Sequence, residues 1–168
     1  MTPFFRAATD EDVTGMCALL NDIIEIGGTT AHQKPFDAAR MQRHYLSPPR
    51  RISCVVAENQ SLILGFQCLE WSDPDWSGPD KLPADWAIIA SFVSPGLQGH
   101  GLGQGLFSMT RRAAKAAGVT AIDSTIRADN LAGLAYYTGL GFTDYGVFRD
   151  VPLRDGTRVD RIRKRLAP

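Results

Sequence analysis

The chain has 168 residues, 44% hydrophobic and 21% charged, with Lys+Arg and Asp+Glu both at 18. This fits one soluble globular domain, residues 1–168, with a sizeable core. The zero net charge gives no reason to expect nucleic acid or an anionic membrane surface as partner.

Phe4–Ala8 reads as a first strand. Thr9 reads as an N-cap, with Asp10, Glu11 and Asp12 in the first turn, where negative charge is favoured. Val13, Met16, Cys17, Leu20 and Ile24 follow at helical spacing, and Gly27-Gly28 ends that helix. Thr29–Pro35 is a loop, and Phe36–Tyr45 predicts a second helix stopped by Pro48-Pro49.

Ile52–Ala57 and Leu62–Trp71 predict a hairpin around a polar turn at Glu58–Ser61. Ser72–Asp85 is irregular, a surface loop or a lid. Trp86–Val93 reads as the central strand, and Leu102–Ala117 as an amphipathic helix closed by Gly118. Ala121–Ile126 is a buried strand. Asp129–Leu140 is a helix capped by Asp129 and closed by Gly141. Phe142–Phe148 and Arg158–Leu166 are the last strands, around a turn at Asp155-Gly156, and the Arg161–Arg165 run reads as the solvated side of an edge strand. Crossovers demand some parallel pairing and hairpins demand antiparallel pairing, so the sheet is mixed.

Cys17, Cys54 and Cys68 fit no zinc spacing and no Cys-x-x-Cys pair. With a first segment, Met1–Arg6, unlike a signal peptide, they predict reduced thiols in a cytoplasmic protein that needs no metal. No apolar stretch approaches the length of a bilayer span.

The most informative segment is Val93-Ser94-Pro95-Gly96-Leu97-Gln98-Gly99-His100-Gly101-Leu102-Gly103. A strand ending in glycines that open directly into a helix leaves free backbone N–H groups, a seat for phosphate oxygens. It is not a P-loop, because no Gly-Lys-[Ser/Thr] follows. It is not a dinucleotide fingerprint either, because the third glycine position falls on Gln104, Leu106 or Ser108. What remains is Gln98-x-x-Gly101-x-Gly103, followed by Asn130-x(6)-Tyr137-x(3)-Gly141-Phe142.

These paired elements resemble the GNAT superfamily of N-acetyltransferases. Leu20-Asn21-Asp22 and Gly28-Thr29-Thr30-Ala31 resemble its phosphinothricin-acetyltransferase-like subgroup. The resemblance implies an α/β (α+β) fold with a mixed, mostly antiparallel central sheet and helices on both faces. It implies acetyl-CoA (coenzyme A) as cofactor and transfer to a primary amine of a small molecule, an amino acid or amino-acid-like compound, by direct attack in a ternary complex. Gln98, Gly99, His100, Gly101, Leu102 and Gly103 would surround the pyrophosphate. Phe92 and Val93 would bind the pantetheine arm and, through a backbone N–H, the thioester carbonyl. Tyr137 aligns with the proton donor to the leaving sulfur, and Asn130 lies near the cofactor. Thr29 and Thr30 fall in the loop that lines the acceptor pocket in relatives.

The fourth strand lacks the carboxylate some relatives place there, so Asp85, Glu70 and Glu25 are the nearest candidate bases. Two alternatives stay open: a protein N-terminus or lysine as acceptor, and a non-catalytic acyl-CoA sensor. A free edge in the last strands would allow a homodimer.

Overall fold

The strands in the computed structural model, which describes residues 1–168, are β1 (Phe4–Ala7), β2 (Arg51–Asn59), β3 (Leu62–Trp71), β4 (Trp86–Val93), β5 (Ala121–Arg127), β6 (Thr143–Pro152) and β7 (Arg158–Leu166). They form one sheet in the order β1-β2-β3-β4-β5-β7-β6. Every pairing is antiparallel except β4 with β5. The helices are α1 (Val13–Ile26), α2 (Ala38–Met41, continuing through a wider turn at Gln42–Leu46), α3 (Leu102–Ala117) and α4 (Leu131–Gly139). No helix is long and apolar enough to cross a membrane.

Helices cover both faces because the strand residues alternate. Cys54, Val56, Phe66 and Cys68 pack with Met16, Leu20 and Met41 under α1 and α2. Their neighbours Val55, Ala57 and Leu64 pack with Leu102 and Leu106 of α3 on the other face. Leu102 and Leu106 are fully buried, which stabilises the start of α3 by about 1.5–3 kcal/mol for each side chain. This packing fixes the helix mouth against the sheet.

The expected bounds of β4 and α3 agree with the structure, since Pro95, Gly101 and Gly118 break the chain on either side. The hairpin β2–β3 turns on Gln60 and Ser61, both at positive φ. The second helix starts later than its apolar pattern predicts. Asp37 accepts the Arg40 N–H at 2.7 Å and caps it, while Asn21 holds the backbone of buried Phe36 outside the helix.

Two further expectations need correction, and of the two readings of Ser72–Asp85 the surface loop is the one that fits. The cap of α4 is Asn130, whose Oδ1 accepts the Gly133 N–H at 2.9 Å. Asp129 is held instead by the Arg127 guanidinium at 2.9 and 2.7 Å. β7 lies inside the sheet between β5 and β6, so Arg163 and Lys164 are buried, and β6 forms the edge. The Ser72–Asp85 loop is pinned by Ser72 to Pro83, Trp76 to Pro79 and Lys81 to Pro74, and it stays outside the main cleft.

The feature that positions the site is the parallel seam. β4 and β5 pair only at Trp86↔Ala121, Ala87↔Ile122 and Ile88↔Asp123. Beyond Ile88 the strands part, and the sheet opens into a cleft.

Candidate active site

The cleft has a volume of about 730 Å³ and runs from the mouth of α3, through the gap between β4 and β5, to the loop after α1. Phe92, Val93, Gln98, Gly99, Gly101, Leu102, Gly103, Asn130, Tyr137, Thr29 and Thr30 all line it. His100 does not. Its ring turns back onto the carbonyls of Leu97 and Gln98, leaving only its backbone amide at the mouth.

At that mouth, none of the backbone N–H groups of residues 99–104 donates to a protein acceptor. Gly99 and Gly101 adopt φ of +81° and +79°, with open space where a Cβ would stand. Only glycine takes that conformation freely, and it turns successive amides toward one point. Gly103 is needed for a different reason. A Cβ there would sit 2.5 Å from the ring of Tyr136, whose hydroxyl donates to the Gly103 carbonyl at 2.7 Å.

The β4 edge follows from strand alternation. The Ser94 N–H donates to Leu64 on β3, so the Phe92 N–H points the same way. The amides of Ser91 and Val93 therefore face the gap. Of the two residues expected to offer an amide there, Val93 does so.

Tyr137 enters from α4 and packs edge-on against Phe142 and Tyr136. Its hydroxyl lies 2.7 Å from Ser91 Oγ, which also accepts from Gln67 Nε2 at 2.8 Å. Burial raises the Tyr137 hydroxyl above its ordinary pKa, so it holds its proton. Gln67 is fully buried and also donates to the Tyr136 hydroxyl at 3.0 Å, which ties β3, β4 and α4 together beneath the gap.

The far end of the cleft is built by the loop after α1. Thr30 O accepts from Arg127 at 3.0 Å and Thr29 O from Asn130 Nδ2 at 3.1 Å. Asn130 thus caps α4 and anchors the loop with one side chain.

Sequence reasoning missed His32 and Tyr45 here. His32 Nε2 lies 2.5 Å from the Tyr45 hydroxyl, and its ring is boxed in by Phe36, His44, Tyr45 and Phe92. Burial, then the neighbouring His44 and Arg40, lower its pKa to about 4, so it is neutral at pH 7. Its only signal in the sequence is a polar residue in the loop before Phe36. Arg127 and Arg161 were missed too, and both reach the cleft. Glu25, Glu70 and Asp85 do not, and no carboxylate lines the cleft.

The model of the acetyltransferase (GNAT) family matches residues 16–142. Among solved structures, an N-acetyltransferase from Staphylococcus aureus Mu50 superposes with a TM-score of 0.81 at 21% identity, covering 99% of both chains. A phosphinothricin acetyltransferase from Sinorhizobium meliloti, in complex with AcCoA, gives 0.82 at 18% identity, over 99% of this chain and 89% of that one. A ribosomal-protein-alanine N-acetyltransferase from Brucella melitensis gives 0.79 at 20% identity, over 98% and 99%. The match spans both loop elements and the parted strands between them: the chain belongs to the GNAT family of acetyltransferases, whose cosubstrate is acetyl-CoA.

Proposed function

We propose that this protein transfers the acetyl group of acetyl-CoA to a primary amine of a small molecule, an amino acid or amino-acid-like compound, by direct attack in a ternary complex. The observation that carries this reading is one continuous cleft joining unspent helix-mouth amides, a parted strand edge and a buried tyrosine hydroxyl.

The residues present fit acetyl-CoA. The amides of Gly99–Gly103, backbone His100 and Leu102 included, offer donors and the positive helix end to a pyrophosphate. The unpaired edge from Ile89 to Val93 offers strand-like hydrogen bonds to an amide-bearing arm. Bound there, acetyl-CoA supplies a thioester carbonyl to an uncharged amine, so that a C–N bond forms, the C–S bond breaks and the sulfur needs a proton.

The Val93 N–H is the donor placed to stabilise charge on the carbonyl oxygen. Tyr137 protonates the sulfur, and its contact with Ser91 keeps the hydroxyl aimed along the gap. The proton leaving the amine goes to His32, directly or through the Tyr45 hydroxyl. No carboxylate lines the cleft, its tyrosine hydroxyls hold their own protons and its arginines are already charged, so this imidazole is the one side chain there with a basic nitrogen lone pair. Thr29 and Thr30 form the wall that faces the acceptor.

A small acceptor is supported by the way the loop after α1 is tied down to Arg127, Asn130 and, through Gln33, the Arg154 N–H. These ties give the acceptor end a wall. The test is thiol release from acetyl-CoA over an amine panel, alongside calorimetry of acetyl-CoA binding. Release with small amines at rates above a peptide N-terminus supports the proposal. Tight binding with no transfer to any amine would favour a sensor, and faster transfer to peptides a protein acceptor.

A further inference from the structure

Arg127 and Arg161 are direct cross-strand partners on β5 and β7, so their side chains leave the sheet on the same face. Like charges in that position repel one another. Arg127 is fully engaged. Its Nε and Nη2 grip Asp129, and its Nη1 donates to Thr30 O. Arg161 makes no hydrogen bond or ion pair through its side chain, and its buried Nε has no partner. Asp155 lies close enough to Arg127 to feel its charge but is committed to Thr157. Two guanidinium groups thus reach a cleft that no carboxylate lines, and the one carboxylate that pairs with them, Asp129, belongs to Arg127.

A half-buried guanidinium that lines a cavity with none of its donors paired is costly unless something completes it. Its planar fork matches a carboxylate through two parallel N–H···O bonds. Arg161 also stands near His32, whose protonation its charge opposes, so it belongs to the acceptor end of the cleft.

We propose that Arg161, backed by Arg127, is the binding site for a carboxylate on the acceptor, so that this enzyme selects amines that carry an acid group and rejects their amides and esters. The inference rests on the acetyl-transfer reading for the direction in which the amine then faces, toward His32 and the gap. It does not rest on that reading for the anion site itself.

The test supplies acetyl-CoA for the transfer assay and coenzyme A for the melting assay, with paired probes differing only in charge: glycine and L-methionine against the corresponding α-carboxamides. Two readouts are taken, acetyl transfer and protection against thermal unfolding. Charge-assisted bidentate binding predicts an acid-over-amide preference of about 10- to 100-fold in kcat/KM. In Arg161→Gln that preference collapses to within a few-fold through a rise in KM for the acid, with coenzyme A affinity unchanged, and Arg161→Lys recovers part of it. The acid also raises the melting temperature of the wild type and not of Arg161→Gln.

The ligand-free Arg161→Gln protein melts no lower than wild type, since an unpaired charge opposite Arg127 has been removed. This separates lost binding from lost folding. Acid-specific protection that requires Arg161, with no amine acetylated, would sink the acetyl-transfer reading and uphold the anion site. Acids that neither protect more than their amides nor react faster would overturn the anion site whatever the acetylation result. So would a preference that survives in Arg161→Gln.

Discussion

The Tyr137 hydroxyl lies 2.7 Å from Ser91 Oγ, which fastens α4 to the strand edge that parts from β5. Ser91 is in turn held by Gln67, so the hydroxyl is fixed by a chain running back into β3. The geometry serves chemistry and packing together, and a single oxygen deletion distinguishes them.

Tyr137→Phe keeps the ring against Phe142 and Tyr136 and removes only the hydroxyl. Stability should fall by about 1 kcal/mol for the lost hydrogen bond. The rate kcat should fall by about 100-fold or more if the hydroxyl protonates the leaving sulfur. Affinity for acetyl-CoA by calorimetry should be unchanged. Unaltered kcat would take Tyr137 out of the chemistry and leave it a core residue.

Asn130 has two jobs that two substitutions separate. Asn130→Asp keeps an oxygen for the Gly133 N–H but loses the Nδ2 donor to Thr29 O. It should hold its melting temperature while KM for the amine rises, because the acceptor loop is untied. Asn130→Ala loses both and should also lose about 1 kcal/mol of helix-cap stability, a fall of roughly 2–4 °C at this chain length. If Asn130→Asp melts as low as Asn130→Ala, the cap assignment fails.

Two glycines on facing helices give opposite predictions. Gly139 is exposed in α4, at ordinary helical φ, with nothing within 4 Å of an added Cβ. Gly139→Ala should therefore stabilise by about 0.5–1 kcal/mol. In Gly103→Ala the new methyl meets the Tyr136 ring, which is rigid and held at its hydroxyl by Gly103 O and Gln67. It should destabilise by about 1–3 kcal/mol and weaken acetyl-CoA binding by shifting the first turn of α3. Urea unfolding of the two variants checks both signs.

The first half of the cleft was legible in the sequence because its determinants are local. Pro95, Gly99 and Gly101 bracket the mouth of α3, and the spacing from Asn130 to Tyr137 lies within one helix and its cap. The acceptor half was not legible, because it is made by distant partners. Arg161 reaches the cleft only because β7 inserts between β5 and β6, an order no local pattern encodes. His32 is oriented by Tyr45, thirteen positions away across a loop and α2. Even the α4 cap was ambiguous, since Asp129 and Asn130 are both good capping residues. What decides is Arg127, two residues earlier, which captures Asp129 and leaves the cap to Asn130.

His32 connects this hidden half to pH. Its pKa falls from 6.5 to about 4 on folding, chiefly through burial. Below 6.5 the unfolded chain takes up a proton that the folded one resists, so stability is complete above that pH and drains away as pH falls toward 4. His44 shifts in the same direction, while Glu70 and Asp123, raised by burial, oppose the trend. The clean measurement is therefore the stability difference between wild type and His32→Gln. It should be flat above pH 7 and change in favour of the variant between about pH 6.5 and 4. At pH 7 the same variant should bind acetyl-CoA normally and lose kcat/KM for the amine, since the neutral imidazole that receives the proton is gone. A stability difference independent of pH would mean that the His32 ring is not held away from protonation, and unchanged kcat/KM for the amine in His32→Gln would remove it as the proton acceptor.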